Sequence, residues 1–212
     1  DPKALITEQY KILRTNVLSI NQGKPPKVLV ITSSLHSEGK TIPSLNLAMT
    51  LAQSTQKPKV LLIDADMRRG KVHKYLGLPQ REGLSEVLRG KMDVSQALFN
   101  IDIENLAFLS SGYVPENPAE LLSSDKMKAL INQMRLQFDH IIIDTPPVIA
   151  VTDSGIIGAF SDGVLMVIQA GRTQRGIVKR ATELLYQTHA KVLGHVLTNI
   201  EYHLPEYIYR YL

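Results

Sequence analysis

The chain has 212 residues, 44% hydrophobic and 21% charged, an ordinary globular composition with room for one α/β domain and a buried core. It has no cysteine, which excludes disulfides, thiolate metal sites and iron–sulfur clusters. The net charge of +4 is spread without a basic block, which argues against nucleic acid as a partner, and no apolar stretch nears the ~18 residues of a membrane span. No signal peptide opens the chain. Its Asp-Pro start leads us to expect a trimmed piece of a longer polypeptide, whose remainder has room for membrane segments.

In chain order, residues 5–21 read as a helix. Apolar runs then follow at "KVLVIT" (27–32), "KVLLID" (59–64), "LAFLS" (106–110), "HIIIDT" (140–145), "GVLMVIQA" (163–170) and "VLGHVLTNI" (192–200). Segments with helical spacing lie between them, at 41–54, 124–137 and 174–188. Short continuous apolar strands alternating with amphipathic helices predict a mostly parallel sheet covered on both faces. One domain is expected over residues 1–201, with a flexible tyrosine-rich tail at 202–212.

After the first strand comes "SSLHSEGKT", which ends as a phosphate loop ends. Ser34 stands where G-x-x-x-x-G-K-[ST] has its first glycine. Ser37 stands where the backbone approaches phosphate closely. In this reading Ser34, Ser37, Glu38 and Gly39 line the nucleotide. Lys40 reaches the β- and γ-phosphates, and the Thr41 hydroxyl binds Mg²⁺. Pro43 falls in the first helical turn, where its missing N–H costs little. The alternative is a Gly-Lys-Thr that only opens a helix.

Two further segments favour the nucleotide reading. "LLIDADMRR" puts Asp64 and Asp66 at the end of a strand, and "IIIDTPP" does the same for Asp144. Ligands bind outside the carboxyl ends of parallel strands. Each aspartate alone could be a helix cap or turn residue. Together with the loop they supply the oxygen ligands and base of an Mg²⁺–nucleotide site.

These three segments resemble the Walker A, A′ and B motifs of the bacterial tyrosine kinases (BY-kinases), within the MinD- and ParA-like P-loop ATPases. "EQYKILRTN" (8–16) resembles the family's helical motif E-x-x-R-x-x-R. "GLSEVLRG", "ENPAELLSS" and "DGVLMVIQAGRTQR" also resemble family segments. Three departures stand out. His36-Ser37 replaces the family's Pro-Gly, Lys11 replaces the first arginine of the helical motif, and Gly70 follows Arg68-Arg69 where the family has proline. MinD- and ParA-like ATPases also carry an early loop lysine that reaches a partner's nucleotide. Here that position is Leu35, which cannot stabilise phosphate charge.

The tail supports a kinase independently. Tyr202, Tyr207, Tyr209 and Tyr211 are four of eight tyrosines, all within "EYHLPEYIYRYL". An accessible tail suits a phosphoacceptor; an aromatic edge strand or packed helix is the alternative. The resemblance implies ATP- and Mg²⁺-dependent autophosphorylation of that cluster in trans. Asp64 is expected to be the base, and Asp66 and Asp144 metal ligands with Thr41. Arg172 is expected either to contact nucleotide or to be a surface residue. Glu8, Lys11 and Arg14 lie three apart on one helix face. By themselves they read as a solvated cluster; by resemblance they are an inter-subunit contact that assembles a ring. The histidines show no metal-ligand spacing. The resemblance further implies control of capsule or exopolysaccharide synthesis at the inner face of the bacterial membrane. It implies a transmembrane co-polymerase activator, fused or separate, and a cognate tyrosine phosphatase.

Overall fold

The structure, a computed structural model, describes residues 2–20 and 24–200. The tail tyrosines Tyr202, Tyr207, Tyr209 and Tyr211 lie outside the described residues.

Every residue of β1 (Val28–Ser33), β2 (Val60–Asp64) and all but the first of β5 (His140–Asp144) is buried. That is why these strands read as unbroken apolar runs. In β1, Leu29 and Ile31 face one layer of helices while Val28 and Val30 face the other. With β3 (Leu98–Asn100), β4 (Leu106–Leu109), β6 (Gly163–Gln169) and β7 (Val192–Thr198) they form one sheet in the order β3-β4-β2-β5-β1-β6-β7. All neighbours are parallel except β3 on β4. The expected fold class is therefore observed, with one antiparallel edge strand added.

On one face lie α1 (Pro2–Ser19) and α2 (Thr41–Ala52), which bury Val17, Leu47 and Leu51 against the sheet. On the other lie α7 (Asp125–Gln137), α8 (Asp153–Gly158) and α9 (Arg175–Gln187), contributing Ile131, Met134, Ile157 and Leu185. Truncating one such side chain to alanine costs about 2–5 kcal/mol. The remaining helices are short: α3 (Val72–Tyr75), α4 (Leu84–Leu88), α5 (Val94–Ala97) and α6 (Pro118–Ser123). Among the described residues no helix is long and apolar enough to cross a membrane.

A charged clamp fastens the amino end of β1. Asp162 Oδ2 accepts the N–H groups of Lys27 and Val28, each at 2.8 Å. Arg135 from α7 donates to both carboxylate oxygens, at 2.8 and 3.0 Å. Burial raises the proton affinity of Asp162, but Arg135 and the two N–H groups outweigh it and hold the carboxyl below its usual range.

Candidate active site

Because β2, β5 and β1 are adjacent, their carboxyl ends bring the phosphate loop and all three aspartates together. The loop spans residues 34–40. Ser37 (φ 65°) and Gly39 (φ 85°) are left-handed, and Lys40 returns to right-handed helical angles. Such alternation turns successive N–H groups inward and makes an anion-binding concavity. Glycine is not needed at Ser34, whose φ is not positive. Its side chain is fully buried and its hydroxyl meets Met166 Sδ at 3.4 Å, so it shapes the loop from behind.

Lys40 reaches Asp66 Oδ2 at 3.3 Å and Asp144 Oδ2 at 3.4 Å. Thr41 donates its hydroxyl to Asp144 Oδ2 at 2.9 Å. Ser44, one turn along the same face of α2, donates to Asp144 Oδ1 at 2.9 Å. Asp64 sits deeper. Its two oxygens accept the N–H groups of Asp66 and Val72, each at 3.1 Å. β2 ends at Asp64, and Asp66 lies in the turn that follows, its own N–H bound to Asp64 Oδ1. Asp66 lines the cleft; Asp64 lies beneath it. Gly70 keeps Asp64 in place: a Cβ there would lie 2.8 Å from Asp64 Oδ2 and 2.3 Å from Ser111 Oγ.

Three buried carboxylates face one ammonium, and the proton affinities of Asp64, Asp144 and Lys40 shift accordingly. Burial, with help from the neighbouring Asp144, pushes Asp64 up to about 8, against the pull of the Val72 N–H and Lys40. Burial also raises Asp144, although Lys40, Thr41 and Ser44 oppose it. Burial alone would lower Lys40, but Asp144, Asp66 and Asp64 more than reverse this and keep it charged.

Above this floor is a cleft of about 360 Å³, lined by Ser37, Gly39, Lys40, Thr41 and Asp66, with Arg69 and Lys71 adding positive charge. The donors suit Mg²⁺ bound with phosphate: hard oxygen ligands, excess negative charge and an anion-binding loop. Among the described residues no three acidic, histidine or cysteine side chains form a metal cage. Mg²⁺ commonly takes one or two carboxylates and completes its shell with phosphate oxygens and water.

Comparison with known proteins gives the family. A family described as an AAA domain matches residues 27–193. The tyrosine-protein kinase YwqD of Bacillus subtilis is 41% identical over 197 residues, covering 93% of this chain and 82% of that protein. The chain belongs to the bacterial tyrosine-protein kinases. Solved structures agree. The chimerical protein CapA2B2 matches with TM-score 0.89 and 34% identity over 95% of this chain and 88% of that one. The kinase domain of Escherichia coli ETK matches with TM-score 0.86 and 31% identity over 94% and 80%. The wider fold is that of the MinD- and ParA-like P-loop ATPases.

In this tyrosine-kinase chain the structure brings together Ser37, Gly39, Lys40, Thr41, Asp66 and Asp144, with Asp64 directly below. It does not place Arg172 on the cleft: that side chain is exposed and donates to Gln169 Oε1 at 3.0 Å. Glu38 turns away from the cleft and is buried. On α1, Glu8 and Lys11 form an exposed ion pair at 2.7 Å, while Arg14 points inward to the Thr50 carbonyl of α2 at 2.8 Å. Ser44 was missed. Its only signal is a hydroxyl one helical turn after Thr41.

Proposed function

We propose that this chain is an ATP- and Mg²⁺-dependent protein-tyrosine kinase that phosphorylates the tyrosine cluster 202–212 of a neighbouring copy. The observation that carries this reading is the convergence of Lys40, Thr41, Asp66 and Asp144 at one cleft over Asp64. Leu35, exposed at the start of the loop, disfavours a dimer-sandwich positioning ATPase, which needs a cation there.

Bound Mg·ATP supplies the phosphoryl group. The loop N–H groups and Lys40 would hold its phosphates, with Lys40 exchanging carboxylate for phosphate partners. Thr41, Asp66 and Asp144 would hold the metal. We assign proton acceptance to Asp64, which must first lose the proton it holds in the metal-free site; positive charge bound at Asp66 and Asp144 would draw that proton off and leave a carboxylate. The tyrosine oxygen bonds to phosphorus, the bond to the ADP oxygen breaks, and the tyrosine proton passes to Asp64. For this, Asp64 must release the Val72 N–H and the turn at 65–71 must open.

Glu8 and Lys11, exposed beside Ile6 and Ile12 on α1, are our proposed inter-subunit contact. Arg14 supports it from behind by docking α1 on α2. Phosphates on the tail would repel one another and the acidic site, favouring dissociation. In keeping with family membership, we extend this reading to a role in capsule or exopolysaccharide synthesis, at the membrane beside a co-polymerase activator and opposed by a phosphatase. Incubation with labelled ATP and Mg²⁺, then mapping of the labelled residues, tests the activity. Tail tyrosine label is expected. Hydrolysis stimulated by lipid or DNA without protein label contradicts it.

A further inference from the structure

We infer that Glu38, Thr173 and Thr198 form a clasp that holds the phosphate loop in its nucleotide-binding shape, and that the two threonines are positioning residues for the kinase reaction. This rests on the nucleotide reading of the cleft and deepens it.

Glu38 lies between the two left-handed residues of the loop, Ser37 and Gly39. A left-handed serine is strained by about 1 kcal/mol or more, so local preference does not maintain this shape and contacts must. Glu38 supplies them. Its side chain is 3% exposed, although it belongs to an anion-binding loop. Oε2 accepts the Leu35 N–H at 2.6 Å, which closes the loop on itself. Oε1 accepts the Thr173 hydroxyl, from the segment after β6. The Glu38 backbone carbonyl accepts the hydroxyl of Thr198, the last residue of β7, at 2.8 Å. Thr198 also backs Gly39, with its Oγ1 3.8 Å from where a Cβ would stand.

The carboxylate is thus turned away from the phosphates and spent on fixing the peptide units that face them. The loop hangs from two hydroxyls on neighbouring strand exits, β6 and β7, on the side of β1 opposite to the catalytic aspartates. Losing either hydroxyl leaves the fold intact and lets the peptides around Ser37 and Gly39 relax away from the phosphate-binding orientation. Thr198 also stands four residues before Tyr202, the first of the clustered tyrosines.

Isosteric pairs test this. Thr173→Val and Thr198→Val keep shape and lose the hydroxyl; Thr173→Ser and Thr198→Ser keep it. Binding of fluorescent ADP with Mg²⁺ is titrated for each, alongside thermal melting. We expect each valine variant to melt within a few degrees of wild type and bind about tenfold more weakly, a loss of about 1.4 kcal/mol. The serine variants should bind as wild type does. The double valine variant should lose less than the sum, because both hydroxyls act through Glu38. Valine variants that bind as tightly as wild type overturn the clasp, as do serine variants as weak as valine. Failure of wild type itself to bind Mg·ADP defeats the underlying nucleotide reading instead.

Discussion

Asp64 and Asp144 stand directly opposite each other, in register, as the last residues of adjacent strands β2 and β5. Two buried carboxylates side by side cannot both ionise cheaply; burial raises the proton affinity of both, and Asp64 is pushed up to about 8. Between about pH 4 and 8 the folded chain keeps a proton that the unfolded chain has lost. A raised folded-state affinity of this kind means stability falls as pH rises through that window, by up to about 1.4 kcal/mol per pH unit. Urea unfolding without divalent metal should show lower stability at pH 8 than at pH 5.5. Saturating Mg·ADP should flatten the slope, because the metal replaces the proton as counter-charge. A flat or rising metal-free profile would contradict the electrostatic account of this site.

Asp162 behaves in the opposite sense. Its depressed proton affinity contributes stability that is present above the ordinary carboxylate range and lost as pH falls through it. The carboxylate is half-buried and closes four hydrogen bonds around the start of β1, so Asp162→Asn should cost about 2 kcal/mol after allowance for solvent screening. Denaturation at pH 7 and pH 3 checks this. The gap between variant and wild type should close at the lower pH.

Ser37 is strained at φ 65°. Ser37→Gly should leave stability unchanged or raise it by up to about 1 kcal/mol, relief of strain being set against added freedom in the unfolded chain. Ser37→Val, β-branched in a left-handed position, should lose about 1–2 kcal/mol and most nucleotide binding. Chemical denaturation and ADP titration of the two variants decide it, and a destabilised glycine variant would contradict the loop geometry.

Ser44 fixes the Asp144 oxygen that Thr41 and Lys40 leave free. Ser44→Ala should lower kcat/KM about tenfold, consistent with loss of one hydrogen bond to a charged group at about 1.5 kcal/mol. The Mg²⁺ concentration for half-maximal rate should rise. An unchanged Mg²⁺ dependence would make Ser44 merely structural.

Strand positions were legible in the sequence because both faces of β1, β2 and β5 are buried, leaving continuous apolar runs with aspartate at two of the ends. The phosphate loop was legible from Gly39-Lys40-Thr41 in strand–helix context. Other features rest on tertiary contact and left no local trace. β3 has three residues and owes its existence to pairing with β4. Asp64 and Asp66 read as a pair of cleft carboxylates, but only Asp66 lines the cleft; Asp64 is fully buried at the end of β2. Glu38 looked like a loop residue facing nucleotide; its partners Thr173 and Thr198 are 135 and 160 positions away. Arg14 read as part of an outward charged face, yet its acceptor is a carbonyl on α2.

The most direct test of the kinase account mixes two chains. One carries Lys40→Met and an intact tail, so it cannot hold the phosphates but still offers tyrosines. The other is active and lacks residues 202–212. After incubation with Mg·ATP, mass spectrometry locates the phosphate. The account predicts label on the inactive chain's tail. A tail extends at most ~3.3–3.6 Å per residue, so Tyr207, Tyr209 and Tyr211 should be favoured over Tyr202. An inactive chain that stays unlabelled, or label confined to residues outside the tail, would contradict it.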